Sequence, residues 1–275
     1  MNYIQITIPV TGDAIREMLI ARLSEFEYEG FEEQESSLQA FIPEEKFNPT
    51  ELKELLAPWE LPYTQDRLGE RNWNEEWEKN FQPVVVEEFC AIRASFHAPI
   101  EGVEQELVIT PKMSFGTGHH ATTYMMVAAM RHLDLKDKQV LDFGTGTGVL
   151  AILAEKLGAA RVLGIDYDDW SIENALENVS ENHCRTISIQ KADTTPKGQL
   201  FDIILANINK HVILQELHAI GQQLEKEGVI LLSGLLHEDF SDIEKEALKS
   251  GLVLRERMAR GNWICLKLGK RTSLG

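Results

Sequence analysis

A glycine-rich turn, Gly144-Thr145-Gly146-Thr147-Gly148, joins a strand-like run, Gln139 to Phe143, to a helical run, Val149 to Leu157, and a second strand-like run, Arg161 to Ile165, ends against Asp166. This order constrains the fold more than any other feature of the chain. Val149, Ile152, Leu153 and Leu157 repeat at helical spacing, so the sequence predicts strand, tight turn, helix and strand in succession. Glycines suit the turn because it must adopt positive φ and approach a ligand closely, which a Cβ would obstruct. An acid at the carboxyl end of the second strand is placed to accept hydrogen bonds from both ribose hydroxyls of a nucleoside.

The spacing narrows the ligand. A dinucleotide fingerprint reads G-x-G-x-x-G and sets a pyrophosphate against the helix N-terminus. Here the pattern is G-x-G-x-G, with Val149 in place of the third glycine and no Lys-Ser or Lys-Thr to cradle a phosphate. A nucleoside ligand without phosphate fits better, and S-adenosylmethionine, with its ribose, adenine and charged amino-acid tail, is the common one.

Downstream, helix is expected over 170–179, 211–224 and about 238–249, and strand over 186–190, 201–208 and 229–233. A terminal hairpin, 252–258 and 263–268, turns at Gly261-Asn262. Strands alternating with helices predict a mostly parallel, doubly wound sheet covered on both faces, closed by an antiparallel pair. Ligands of such sheets lie outside the carboxyl ends of the strands, where Asp166, Asp193 and Asn207 all fall.

The chain has 275 residues, room for one large domain and a small one, and no apolar run long enough to span a membrane. It opens on a strand-like run rather than a basic and apolar leader, so a cytoplasmic location is expected. Three widely spaced cysteines, Cys90, Cys184 and Cys265, indicate neither a disulfide framework nor a metal site. With 27 basic and 44 acidic residues the net charge is −17, which argues against a protein that grips extended nucleic acid by its phosphates and suits a basic partner. Residues 1–83 hold 7 basic and 18 acidic side chains, densest at Glu25, Glu27, Glu29, Glu32, Glu33 and Glu35. That run reads either as a solubilising surface or as steering for a lysine-rich substrate.

The first third has its own pattern. Ile4, Ile6, Ile8 and Val10 alternate as a half-buried strand; Ile15, Met18, Leu19, Leu23 and Phe26 follow at helical spacing. Strand-like stretches near 30–34 and 38–42 precede a helix opened by Asn48-Pro49-Thr50-Glu51, with an Asn cap and Pro at the first position, and 62–68 can supply a last strand. The order βαββαβ predicts a small ferredoxin-like α+β domain over residues 1–69. Trp73, Trp77 and Phe81 then form an aromatic stripe on a charged linker helix, 70–83, ended by Pro83, and residues 84–275 make the second domain, opening on extra strands over 84–96 and 106–110.

The segment Phe115-Gly116-Thr117-Gly118-His119-His120-Ala121-Thr122-Thr123, with Asn72-Trp73, the L-D-F-G-x-G-x-G run, Gly164-Ile165-Asp166, Ala206-Asn207-Ile208 and Ser233-Gly234-Leu235-Leu236, resembles the bacterial ribosomal protein L11 methyltransferases over nearly the whole chain. The resemblance implies a class I methyltransferase domain preceded by a ferredoxin-like recognition domain and a linker helix. It also implies S-adenosylmethionine as cofactor and methylation of lysine side-chain and N-terminal amines of one ribosomal protein, free or ribosome-bound. Carried over motif by motif, the cofactor contacts fall on Thr123, Gly144, Asp166 and Asn207, to which the reading of the turn and the strand ends adds Gly146 and Asp193 as cofactor-binding candidates. Asn207 also faces the substrate, to orient the amine, and His119 or His120 is a candidate to take up a proton. Thr145 stands where many relatives have Cys, a small-for-small exchange expected to be silent. A class I enzyme acting on RNA or a small metabolite, and a non-catalytic cofactor-binding module, are the alternatives that the residues leave open.

Overall fold

A computed structural model describes residues 3–34, 36–68, 82–110 and 118–271 of the chain. The linker stripe of Trp73, Trp77 and Phe81, and Phe115-Gly116-Thr117 of the first glycine-rich segment, lie outside the described residues. The chain divides into two compact units, Met1–Asn80 and Phe81–Gly275.

The first unit runs β1 (Tyr3–Pro9), α1 (Asp13–Ser24), β2 (Gly30–Gln34), β3 (Ser37–Pro43), α2 (Pro49–Leu56) and β4 (Thr64–Leu68). Its antiparallel sheet has the order β2-β3-β1-β4, which with the βαββαβ sequence is the ferredoxin-like arrangement. The Asn48 side chain accepts from Thr50 N at 3.1 Å and Glu51 N at 3.4 Å, capping α2 as its sequence predicts. On α1 the inward face differs from the apolar reading: Arg16, Leu19, Ile20 and Leu23 are buried, whereas Ile15 and Phe26 are exposed. The Arg16 guanidinium explains the rotation, since it donates to Gln34 O at 2.9 Å and pairs with Glu33 at 3.6 Å. The acidic run is also partly spent internally. Lys46 pairs with Glu27 at 3.4 Å and Glu29 at 3.5 Å, and Glu29 accepts from the Tyr3 hydroxyl at 3.0 Å.

The second unit begins with a three-stranded sheet, β5 (Val84–Val86), β6 (Cys90–Arg93) and β7 (Gln105–Val108), followed by α3 (Ala121–Met130). The doubly wound part comprises β8 (Gln139–Phe143), α4 (Val149–Lys156), β9 (Arg161–Asp166), α5 (Asp169–Glu181), β10 (Ile187–Lys191), β11 (Phe201–Asn207), α6 (Lys210–Gln223), β12 (Leu224–Leu236), α7 (Phe240–Lys249), β13 (Leu252–Arg260) and β14 (Trp263–Lys270). Its seven strands lie in the order β10-β9-β8-β11-β12-β14-β13. The first five pair in parallel; β14 inserts antiparallel between β12 and β13, as the predicted terminal hairpin requires. From β8 the chain winds outward to β9 and β10, then returns to place β11 on the other side of β8. The carboxyl ends of β8 and β11 therefore flank the topological switch point, where such sheets open a crevice for ligands.

Two elements exceed their sequence patterns. Residues 149–154 of α4 are buried on every side, because the helix packs against β8 and β9 and also against β7 of the small sheet. Strand β12 starts five residues before the apolar run, at Leu224, since Glu225, Lys226 and Glu227 present charged side chains to solvent while their backbone stays extended. The core beneath the switch point is apolar, with Leu141, Phe143, Ile165, Ile204, Ala206, Ile230 and Leu232 from the sheet and Ile213, Leu217 and Ile220 from α6. Each Leu, Ile or Phe among them removed from water stabilises the fold by about 1.5–3 kcal/mol.

Candidate functional site

The glycine turn emerges from β8 and is fastened to the end of β9. Gly144 N and Thr145 N both donate to Ile165 O at 2.9 Å, and Gly144, Gly146 and Gly148 have φ of 75°, 52° and 80°. Asp166 holds the turn from below: Oδ2 accepts from Gly146 N at 2.9 Å, and Oδ1 accepts from Asp168 N at 3.1 Å. Burial raises the Asp166 pKa above the ordinary carboxylate value, against the opposing effect of those two amides. Each carboxylate oxygen keeps a second lone pair, so these bonds leave the acid able to accept from a ligand's hydroxyls.

Asp142, the penultimate residue of β8, is a member of the site that the sequence reading missed. It is buried; Oδ2 accepts from Thr145 Oγ1 at 2.7 Å and from Ala151 N at 3.2 Å, whereas Oδ1 has no hydrogen-bond partner. Burial pushes its carboxyl up to about 7, the Thr145 and Ala151 bonds work against that rise, and the Asp166 charge adds to it. The legible signal was an acid inside an otherwise apolar strand, immediately before the glycines. The Thr145 hydroxyl makes the shorter of the two bonds to this buried carboxyl, where a thiol would donate more weakly.

A pH dependence follows. The folded pKa of about 7 lies above the ordinary 3.8, so this carboxyl's contribution to stability is complete below pH 3.8 and is lost as pH rises through 7. Asp142→Asn, neutral throughout, should therefore gain stability relative to the wild type on going from pH 5 to pH 8, by roughly 2–4 kcal/mol at about 1.4 kcal/mol per pKa unit. Urea unfolding of both chains at the two pH values measures it, and a difference independent of pH would assign Asp142 an ordinary carboxyl.

Across the switch point, Asn207 ends β11. Its Nδ2 donates to Thr123 Oγ1 at 3.2 Å, with Thr123 buried in the first turn of α3, and its buried Oδ1 has no hydrogen-bond partner. The structure thus brings Thr123 to Asn207 and Gly146 to Asp166. Gly144 packs so closely under Ile208 that a Cβ would lie 2.3 Å from Ile208 Cγ2, which links the β8 turn to the β11 end. Asp193 is exposed two residues beyond β10; that strand end is tied to β9 by Ala192 N donating to Asp166 O at 2.8 Å.

The histidines separate in role. His120 is the N-cap of α3: Nδ1 accepts from Thr122 N at 3.4 Å and lies 2.8 Å from Thr122 Oγ1, and the ring packs edge-on against Trp263. Burial lowers its pKa to about 4, so it is neutral at pH 7 with Nδ1 engaged in the cap. His119 is also lowered by desolvation, partly offset by a hydrogen bond with the Gln82 backbone. Both are neutral bases by charge, and the geometry of His120 gives it a structural task.

Among the described residues no group of His, Cys, Asp or Glu could hold a metal ion, and no helix is long and apolar enough to cross a membrane. The three cysteines are free thiols.

Comparison with known proteins places this geometry. The family model described as ribosomal protein L11 methyltransferase matches residues 5–271. A ribosomal protein L11 methyltransferase of Porphyromonas gingivalis is 40% identical over 266 residues, covering 94% of this chain and 92% of its own. One from Phocaeicola vulgatus is 36% identical, covering 97% and 99%. The crystal structure of a ribosomal protein L11 methylase from Lactobacillus delbrueckii subsp. bulgaricus superposes with a TM-score of 0.65 at 28% identity, over 70% of this chain and all of that one. A methyltransferase from Pyrococcus furiosus, at 17% identity and a TM-score of 0.50, shares the class I fold alone. The sheet order, the glycine turn with Asp166, and a match that runs through both units together establish that the chain belongs to the ribosomal protein L11 methyltransferase family.

Proposed function

We propose that the chain transfers methyl groups from S-adenosylmethionine to lysine side-chain and N-terminal amines of ribosomal protein L11, in the cytoplasm. The observation that carries this reading is the pair of buried oxygens without partners, Asn207 Oδ1 and Asp142 Oδ1, at the carboxyl ends of the two strands that flank the switch point. Unpaired buried acceptors cost about 1–3 kcal/mol each, and N–H groups and positive charge brought by the cofactor at Asp142 and by the substrate amine at Asn207 would relieve both. That donor set fits S-adenosylmethionine, which supplies a methyl group on a sulfonium centre that is its own leaving group.

The chain's part is binding and alignment. Asp166 would hold the ribose hydroxyls, the glycine turn would admit the ligand's close approach, and Asp142 would balance its positive charge. Thr123 fixes the Asn207 amide, so Oδ1 can accept from an incoming amine and aim its lone pair. A lysine of pKa near 10.4 is only about 0.1% neutral at pH 7.4, a cost of about 4 kcal/mol if nothing lowers that pKa. Desolvation in the crevice and the nearby cationic centre lower it. A neutral amide acceptor suits this step better than a carboxylate, which would stabilise the protonated amine. His119, with its depressed pKa, is the remaining candidate to receive the proton that the amine sheds.

The division of labour is residues 1–69 for substrate recognition, 70–83 as connection and 84–275 for chemistry. The net acidic charge of the first third, 18 acidic against 7 basic side chains over residues 1–83, would attract a basic substrate. Residues 84–275 expressed alone should bind S-adenosylmethionine with near-wild-type affinity yet lose at least about tenfold in kcat/KM on intact L11, as recognition energy is removed from the transition state. Full activity of this fragment on the intact protein would refute the division.

A further inference from the structure

We propose that Asn178 is a positioning residue for the cofactor turn, holding the Thr147 carbonyl next to the Gly146 amide that Asp166 holds; this rests on the reading of that turn as the S-adenosylmethionine site. Asn174, Asn178 and Asn182 recur every fourth residue along one face of α5 and its C-cap. Asn174 and Asn178 are completely buried. Asparagine is a poor helix former whose side chain competes for backbone hydrogen bonds, so a buried row of it must be compensated by specific partners.

Those partners are backbone groups far away in sequence. Asn178 Nδ2 donates to Thr147 O at 2.8 Å and to Asn174 Oδ1 at 3.2 Å, while its Oδ1 accepts from Thr110 N at 2.8 Å. Asn182 clamps the end of β7 in the manner of a neighbouring strand, with Oδ1 accepting from Val108 N at 3.0 Å and Nδ2 donating to Val108 O at 2.6 Å. The glycine turn is thereby fixed at two successive residues, Gly146 through its N–H on Asp166 and Thr147 through its carbonyl on Asn178. With three glycines in five residues the turn has little stiffness of its own, so these two external anchors set the orientation of the peptide groups that face the ligand. Asn182 anchors the β7 side, and although its Nδ2 also donates to Asn178 O at 2.8 Å, it makes no hydrogen bond to the turn.

The geometry points to opposite consequences for the two asparagines. In Asn178→Asp the ionised carboxylate cannot donate to Thr147 O and sets a negative charge against that carbonyl; protonated, its hydroxyl restores the bond. Calorimetric titration of the full-length chain with S-adenosylmethionine should show Asn178→Asp binding about tenfold or more weakly than wild type at pH 8, the scale of one buried hydrogen bond. The ratio to wild type should shrink severalfold by pH 5.5 as the carboxyl takes up its proton. Asp142 and Asp166 titrate in both chains and cancel from that ratio. Asn182→Ala should stay within about twofold of wild type at both pH values, although it also lowers the melting temperature. Should Asn178→Asp not fold, Asn178→Ala takes its place, with a comparable loss and no pH dependence of the ratio. Binding by the Asn178 variant within about twofold of wild type at pH 8, or an equal loss in Asn182→Ala, overturns the proposal. A wild-type chain that binds no S-adenosylmethionine overturns the cofactor reading and this inference with it.

Discussion

Gly234→Ala should disable the second unit more than any other single-methyl change. Gly234 lies where β12 slips register against β14, between Leu232 and Leu235, and has φ of 83°. A Cβ there would stand 2.1 Å from Ile208 O and 2.7 Å from Ile208 C, backbone atoms that cannot rotate away. The left-handed conformation alone costs a non-glycine residue about 1–2 kcal/mol. Relief of the clash must push the 207–208 segment off β12, against the Ile208 N to Ser233 O bond of 3.2 Å. The total should reach at least about 3 kcal/mol, equivalent to a drop of roughly 6–12 °C in melting temperature for a unit of this size. Because the displaced segment includes Asn207, the protein that still folds should methylate poorly even well below its melting point. Calorimetric melting together with an activity assay at low temperature measures both parts; a wild-type melting temperature would mean that β12 and the 207–208 turn are not packed as described.

Asn207→Ala should lower kcat by about a hundredfold, in the range seen when one preorganised polar contact to a reacting group is removed. The effect should fall on kcat more than on cofactor affinity, since Asn207 Oδ1 is proposed to serve the amine. Thr123→Val, which strips the 3.2 Å anchor from Nδ2 and leaves Oδ1 in place, should cost less than Asn207→Ala. Single-turnover kinetics with saturating cofactor separates the two. An Asn207→Ala chain with wild-type kcat would move substrate alignment elsewhere in the crevice.

Much of this site could be read from the chain because it depends on local chemistry. The β8 boundaries, the positive φ of all three turn glycines and the Asp166 position at the end of β9 follow from periodicity and the demands of a tight turn. The antiparallel closure at Gly261-Asn262 was legible for the same reason. What was hidden depends on partners distant in sequence. Asp142 did carry a local signal, an acid inside an apolar strand, but its role shows only in the folded turn, where Thr145 and Ala151 hold one carboxyl oxygen and leave the other unpaired. The inward turn of Arg16 required Gln34 O, and the buried asparagines of α5 required Thr110 and Thr147. His120, a candidate with His119 to take up a proton, caps α3 because Thr122 follows it at the start of that helix.

The central claim is transfer of methyl groups from S-adenosylmethionine to amines of ribosomal protein L11, with the reacting amine held at Asn207. Its most direct test is intact-mass and peptide mass spectrometry of unmethylated L11 after incubation with the purified chain and S-adenosylmethionine. The account predicts mass increments of whole methyl groups, confined to lysine side chains and the N-terminal amine, and a rate about a hundredfold lower with Asn207→Ala. L11 left unmodified, both free and in ribosomal subunits, by a chain that binds the cofactor would contradict it.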